Sequence, residues 1–234
     1  KHRKTIRFNM GKYEASVEKG KTQYIHLEAV RKWAKNTKWD AIENLAANLQ
    51  QFERHFTTRG GKVIWAETTQ DALSAIEAIV KAKNAKLVVK SKSMATEEIE
   101  LNEHLKKWGI EVAETDLGEY IVQLADEKPY HIVTPAMHKS KEEIAQLFHK
   151  KIKTPRNATP SELTLAAREQ LRQKYLQAEI GITGANFLVA DIGAISITEN
   201  EGNARLTTTF PKTHIAIVGL EKMIPSFNNL SDSL

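Results

Sequence analysis

The chain has 234 residues, 41% hydrophobic and 27% charged, and no cysteine. It is long enough to bury one sizeable core, and the lack of cysteine excludes disulfides, thiol nucleophiles and Cys-ligated metal clusters within these residues. The formal net charge is +5, but residues 1–60 carry 13 Lys+Arg against 6 Asp+Glu while the remainder carries 21 against 23.

The basic surplus therefore belongs to the leading segment, and the body is near neutral. That distribution argues against a nucleic-acid partner; it suits either a solvated arm or a docking surface for an acidic partner. No apolar run approaches the roughly 18 residues of a membrane helix. The opening KHRKTIRFNM is polar and basic, without the apolar stretch of a signal peptide. The expectation is a cytoplasmic protein, and a start on Lys1 rather than Met suggests a fragment.

In chain order, residues 1–22 show little apolar periodicity and read as an extended arm. From 24 to 56 the pattern is helical: Trp39, Ile42, Leu45, Leu49, Phe52 and Phe56 recur at three- and four-residue steps. Gly60 and Gly61 end that region. Residues 62–67 (KVIWAE) read as a strand and 69–82 as a helix with Ala72, Ile76 and Ile79 on one side. Residues 86–90 read as a short strand, and Thr96 as the cap of a helix that stops at Gly109. Residues 110–115 and 131–134 are further strands. Ser140 with Glu143, and Thr159 with Glu162, form capping boxes, the second with Pro160 at the first helical position.

Past Glu179 the helical period disappears. Residues 186–191, 194–198, 205–209 and 214–219 read as strands joined by glycine turns. The four tryptophans, at 33, 39, 65 and 108, read as core, with Trp33 and Trp39 alternatively as partner contacts. The fold class expected is α/β: a mostly parallel sheet flanked by helices, with an antiparallel or mixed β extension, preceded by a basic helical N-terminal arm. The division expected is 1–60 for the arm, 61–226 for the α/β body and 227–234 for the start of a connector.

In such sheets ligands bind beyond the carboxyl ends of the strands. Three segments fall there. Lys90, Ser91, Lys92, Ser93 and Met94 bring two ammonium groups, hydroxyls and backbone N–H groups suited to a small anion, or form a solvated loop with serine caps. Glu114, Asp116 and Glu119, around Gly118, can hold a cation or act as acid and base; alternatively Asp116 simply caps a helix with Glu119 at its N3 position. The densest stretch holds Gly181, Thr183, Gly184 and Asn186, then Asp191 and Gly193, then Glu199, Asn200, Glu201, Gly202, Asn203 and Arg205. Its glycines allow close backbone approach, although a hairpin turn alone explains 200–203. Glu199 and Glu201 are the candidate catalytic carboxylates. The standard phosphate-loop, dinucleotide and nucleophile-elbow motifs are absent, and the eight histidines lack zinc spacing, so no metal is expected. His131 and His214 read as structural.

Four stretches carry a family resemblance: KSKSMATEEIELNEHL (90–105), ETDLGEYIVQL (114–124), GITGANFLVADIGAISITENEGNARL (181–206) and FPKTHIAIVGLEKMIP (210–225). In this order they resemble the lactate-utilization (LUD) domain family, and most of all its B-type branch. The resemblance implies a fold of the sugar-phosphate isomerase and CoA-transferase-like superfamily. It also implies a role in a bacterial system that oxidises L-lactate to pyruvate, with other lactate-utilization subunits as partners. B-type members continue into an iron–sulfur half with [4Fe–4S] clusters. A chain without cysteine holds no such cluster, so that half is expected outside these residues. Alternatives are a stand-alone ligand-binding or CoA-transferase-like enzyme domain, and an assembly scaffold.

Overall fold

The computed structural model describes residues 2–127, 135–199 and 201–233. The N-terminal region is three helices: α1 (His2–Lys21), α2 (Leu27–Glu43) and α3 (Leu45–Thr58). The body follows as α4 (Thr69–Ala82), β1 (Leu87–Lys90), α5 (Met94–Glu98), α6 (Leu101–Lys107), β2 (Glu111–Glu114), α7 (Leu117–Ala125), α8 (Lys141–Ile152), α9 (Pro160–Gln177), β3 (Ile180–Thr183), β4 (Phe187–Val189), β5 (Ala194–Ser196), α10 (Asn203–Thr209) and β6 (Thr213–Ala216). A 3-10 turn at Leu220–Lys222, β7 (Met223–Ile224), another such turn at Phe227–Asn229 and α11 (Leu230–Ser233) close the chain.

The main sheet is wholly parallel, in the order β2-β1-β3-β6; a small mixed sheet has the order β5-β4-β7. Alternation along the strands assigns the two faces of the main sheet. Leu87, Val89 and Ala113 pack with Tyr120, Phe148, Leu163 and Leu171 of α7, α8 and α9. Val88, Val112, Ile180 and Ile182 pack with Leu73, Ile76 and Val80 of α4 and with Leu101 and Leu105 of α6. A third cluster joins Phe52 of α3 to Leu188, Ala190 and Met223 of the small sheet. The outer edge of β2 is sealed by one side chain: Gln123 donates to the Val112 carbonyl at 2.8 Å and accepts from the Glu114 N–H at 3.1 Å.

The α/β architecture, the helical 24–56 region, the 69–82 helix and both capping boxes agree with the sequence reading. Other elements differ, each for a physical reason. Residues 1–22 are not an extended arm but helix α1, which has no buried residue. Apolar periodicity reports burial, so a helix that buries nothing leaves no such signal; α1 is instead laced by local contacts such as Lys12 over the Phe8 ring. Residues 62–67 alternate like a strand but pair with none among the described residues. Val63 packs against the α3 cluster while Ile64 and Trp65 stay exposed.

Thr96 does not cap a helix. It is buried inside α5, whose N-cap is Ser93, and the run to Gly109 is broken at Glu100 by a left-handed backbone (φ 50°). Residues 205–209 are not a strand but helix α10. Their threonines suggest β structure, yet the Thr207 and Thr209 hydroxyls bond back to the Asn203 and Arg205 carbonyls at 2.8 and 2.7 Å, so the helix accommodates them. Residues 181–183, read as part of a glycine-rich loop, belong to β3, one of the two inner strands. Of the side expected for the 69–82 helix, Ile76 is buried and Ile79 packs against the same cluster, while Leu73 and Val80 complete the buried face in place of Ala72. Trp33 and Trp39 are 66% and 65% exposed and Trp65 is exposed, so only Trp108 contributes to a core. The strand expected at 131–134, with His131, lies outside the described residues.

Candidate functional site

The chain leaves β1 towards one face of the main sheet and β3 towards the other. Leu101 and Leu105 of α6 sit on the face of Val88 and Ile182. Helix α10 covers the opposite face, so close to β3 that a Cβ at Gly181 would collide with the Thr207 carbonyl oxygen. Strand order also reverses here, because β1 leads to an outer neighbour and β3 to the other edge. Diverging connections leave a crevice at the carboxyl ends of the two adjacent strands.

A cleft of about 510 Å³ opens there. One wall is the β1–α5 loop, with Ser91, Lys92, Ser93 and Met94, and Glu98 further along. The floor is Gly184, Ala185 and Asn186 after β3; Gly184 lies against Ser93, whose Oγ would be 2.7 Å from an added Cβ. Asp116, Glu199, Asn203 and Ala204 come from the α7 and α10 starts. The last wall is Ile217, Val218, Gly219, Glu221 and Lys222, after β6.

Local hydrogen bonds hold these groups. Asn186 Oδ1 accepts from the Thr198 N–H at 2.8 Å. Asp116 accepts from the Glu119 N–H at 3.0 Å, which makes it the N-cap of α7 as well as a lining residue. The Asn203 carbonyl accepts from Thr207 Oγ1 at 2.8 Å and from the Tyr175 hydroxyl at 3.4 Å, which pins the start of α10. Glu199 receives the Arg205 N–H at 2.8 Å and pairs with Arg205 Nε at 3.2 Å. Glu201 accepts from the Leu117 N–H at 3.2 Å; burial and nearby Asp116 raise its carboxyl above the ordinary range. The two expected catalytic carboxylates thus both serve the α7 and α10 starts.

Beneath the β1–α5 loop lies a buried charge cluster. Lys90 is fully buried and pairs with Glu114 at 3.0 Å and Glu97 at 3.1 Å. Burial opposes its charge, but the two carboxylates prevail and raise its pKa. The register places Lys90 directly beside Glu114, and Asn102 donates to Glu114 at 2.6 Å. Glu119 is buried alongside, and burial with the Glu114 charge pushes its carboxyl up to about 7.

Of the residues singled out from sequence, Ser91, Lys92, Ser93, Met94, Asp116, Gly184, Asn186, Glu199 and Asn203 line this one cleft. Lys90 and Glu119 do not line it; the expected anion-binding ammonium of Lys90 is already neutralised within the fold. Thr183 is buried in β3 with its hydroxyl 2.8 Å from His214 Nε2. Gly118 faces Asp116 and Pro135. Arg205 lies in an adjoining depression with Ile195, Thr208 and His214. Asp191 is elsewhere: its carboxylate accepts from the Phe227 N–H at 3.0 Å, and the 190–193 turn docks on α3, where His55 meets the Ala190 carbonyl at 3.2 Å. Asn200 lies outside the described residues, and 201–203 lead into a helix, not a hairpin. The 217–222 wall was missed as a site. The available signal was that residues after a fourth parallel strand must reach the same rim.

The model of the LUD domain family matches residues 49–234, which takes in every lining residue named above. This chain belongs to the LUD domain family. It is similar to lactate utilization protein B of Bacillus subtilis, 48% identical over 202 residues, covering 86% of this chain and 42% of the relative. Lactate utilization protein B of Bacillus velezensis is 47% identical over 199 residues, 85% of this chain and 42% of the relative. The protein of that name from Anoxybacillus flavithermus is 42% identical over 250 residues, 96% of this chain and 53% of the relative. The LUD-family chain therefore spans about half the length of these relatives. No solved structure gives a significant match. Among the described residues, no helix is long and apolar enough to cross a membrane.

Proposed function

We propose that this LUD domain serves a cytoplasmic lactate-utilization system of the B type, which oxidises L-lactate to pyruvate with partner subunits, and that its cleft binds a small anionic molecule of that system. One observation carries the site: the ends of β1, β3 and β6 and the starts of α7 and α10 share a single cleft at the reversal of strand order. The role is supported by the relatives' common name, lactate utilization protein B. In this reading Lys92 supplies the cationic contact, and Asn186 and Asn203 orient the ligand. Glu199 and Glu201 fix the rim, and an acid–base role for either is secondary. No residue here can ligate an iron–sulfur cluster through a thiolate, so electron transfer through [4Fe–4S] clusters belongs to another part of the assembly.

Isothermal titration with L-lactate, pyruvate, a sugar phosphate and an acyl-CoA tests the cleft. Binding by wild type that weakens about tenfold in Lys92→Ala is expected, the loss of one charge-assisted contact of roughly 1.5 kcal/mol. Equal heats in both proteins would remove Lys92 from the site, and no heat with any of the four would remove the ligand-binding reading.

A scaffold role has its own observation, since α1 and α2 are basic and expose Phe8, Trp33 and Trp39. Removal of residues 1–26 together with Trp33→Ser and Trp39→Ser should then abolish capture of partner subunits without altering ligand heats.

A further inference from the structure

The cleft wall at 219–223 follows the fourth parallel strand, and it is held from helix α2, which precedes the residues matched by the family model. Gly219, Glu221 and Lys222 line the cleft on a short 3-10 turn. Glu221 folds back so tightly that a Cβ at Gly219 would collide with its carboxylate. The turn has few apolar anchors of its own: Leu220, Glu221 and Lys222 are exposed. What holds it is Lys38 of α2. The ammonium donates to the Glu221 carbonyl and, at 3.1 Å, to the Met223 carbonyl. These two carbonyls flank Lys222, so one side chain bridges the segment that presents both Glu221 and Lys222 to the cleft. Met223 is buried in the core cluster under α3, and Ala41, one turn along α2 from Lys38, is buried too.

We infer that Lys38 is a positioning residue of the cleft: it ties the Glu221–Lys222 wall to helix α2, making the N-terminal helices part of the site. Two arguments support this. The ammonium is half-buried against the turn, where burial and the Lys222 charge lower its pKa while Glu221 raises it, which places both cleft side chains within electrostatic reach. A lysine with two carbonyl acceptors is a stiff bridge, because moving either carbonyl leaves a partly desolvated cation short of a partner. The inference rests on the ligand-binding reading above only for its effect on affinity; the effect on the wall stands by itself.

The experiment compares wild type, Lys38→Met and Lys38→Arg in the full 234-residue chain. Methionine keeps the apolar stem and removes the bridge; arginine restores two donors. Amide hydrogen exchange is followed across residues 217–225, and the affinity for whichever of the four titrated molecules the wild type binds is measured in parallel. Exchange in 217–225 should quicken at least tenfold in Lys38→Met while the 87–90 and 180–183 strands stay protected. Affinity should fall at least fivefold, and Lys38→Arg should recover both to within about twofold of wild type. Unchanged exchange in Lys38→Met overturns the inference, as does faster exchange with unchanged affinity. Uniformly faster exchange over the whole chain also overturns it, since that is general destabilisation. If the wild type binds none of the four molecules, the ligand-binding reading falls; the exchange arm with its arginine rescue then upholds or overturns the bridge alone.

Discussion

Replacing Glu119 by Gln should stabilise the protein at neutral and alkaline pH and leave it unchanged below about pH 4.5. The Glu119 side chain is buried beside Glu114, and burial with that neighbouring charge raises its carboxyl from an ordinary 4.5 to about 7. A carboxyl with a raised folded-state pKa binds a proton more tightly in the folded chain than in the unfolded one. Its contribution is therefore fully present below about 4.5 and is lost as pH rises through about 7. The gap corresponds to about 3 kcal/mol at 1.36 kcal/mol per unit, a net figure in which Lys90 and Lys92 already offset part of the cost of the anion. Glutamine imitates the neutral acid in size and donor capacity, so it should escape the loss. Urea denaturation of wild type and Glu119→Gln at about pH 4, 5.5, 7 and 8 gives the difference in unfolding free energy, in which titration of every other group largely cancels. That difference should be near zero at the acid end and grow to about 2–3 kcal/mol in favour of glutamine at the alkaline end. A pH-independent difference would refute the reasoning. A variant that is less stable than wild type at high pH would do so more sharply, because it would mean the fold uses the ionised carboxylate.

Other perturbations test the rest of the framework. Lys90→Met leaves Glu114 and Glu97 facing each other without their shared cation, and should destabilise by about 3–5 kcal/mol in chemical denaturation; a neutral result would mean the cluster is solvated. Gly181→Ala drives a methyl into the Thr207 backbone and should cost about 1–3 kcal/mol. Gly11→Ala, in a helix with open space around it, should instead be neutral or stabilise by about 0.5–1 kcal/mol; matching effects in the pair would refute the close approach of α10 to β3. Thr159→Ala removes the capping box of α9 and should lower stability by about 1 kcal/mol, read as a fall in melting temperature.

The sequence by itself determined whatever depends on neighbours along the chain. The capping boxes at Ser140 and Thr159, the Asp116 cap and the 69–82 helix are local hydrogen-bond and periodicity events, so they are legible in a linear reading. The four motif stretches also fixed the family, because specific strings persist where shape is unknown. Only the tertiary structure decided how each residue is used. Lys90 looks like a ligand cation in its loop, but the parallel register sets it beside Glu114 and burial consumes its charge inside the fold. Asp191 sits in a conspicuous glycine turn, yet that turn faces α3 rather than the cleft. Residues 205–209 have strand-like composition and become a helix because their hydroxyls find carbonyls one turn back and Gly181 leaves room for the backbone. Lys38 and the 217–222 wall meet across some 180 residues of chain. Contacts of that kind are set by strand order and packing, which no local pattern encodes.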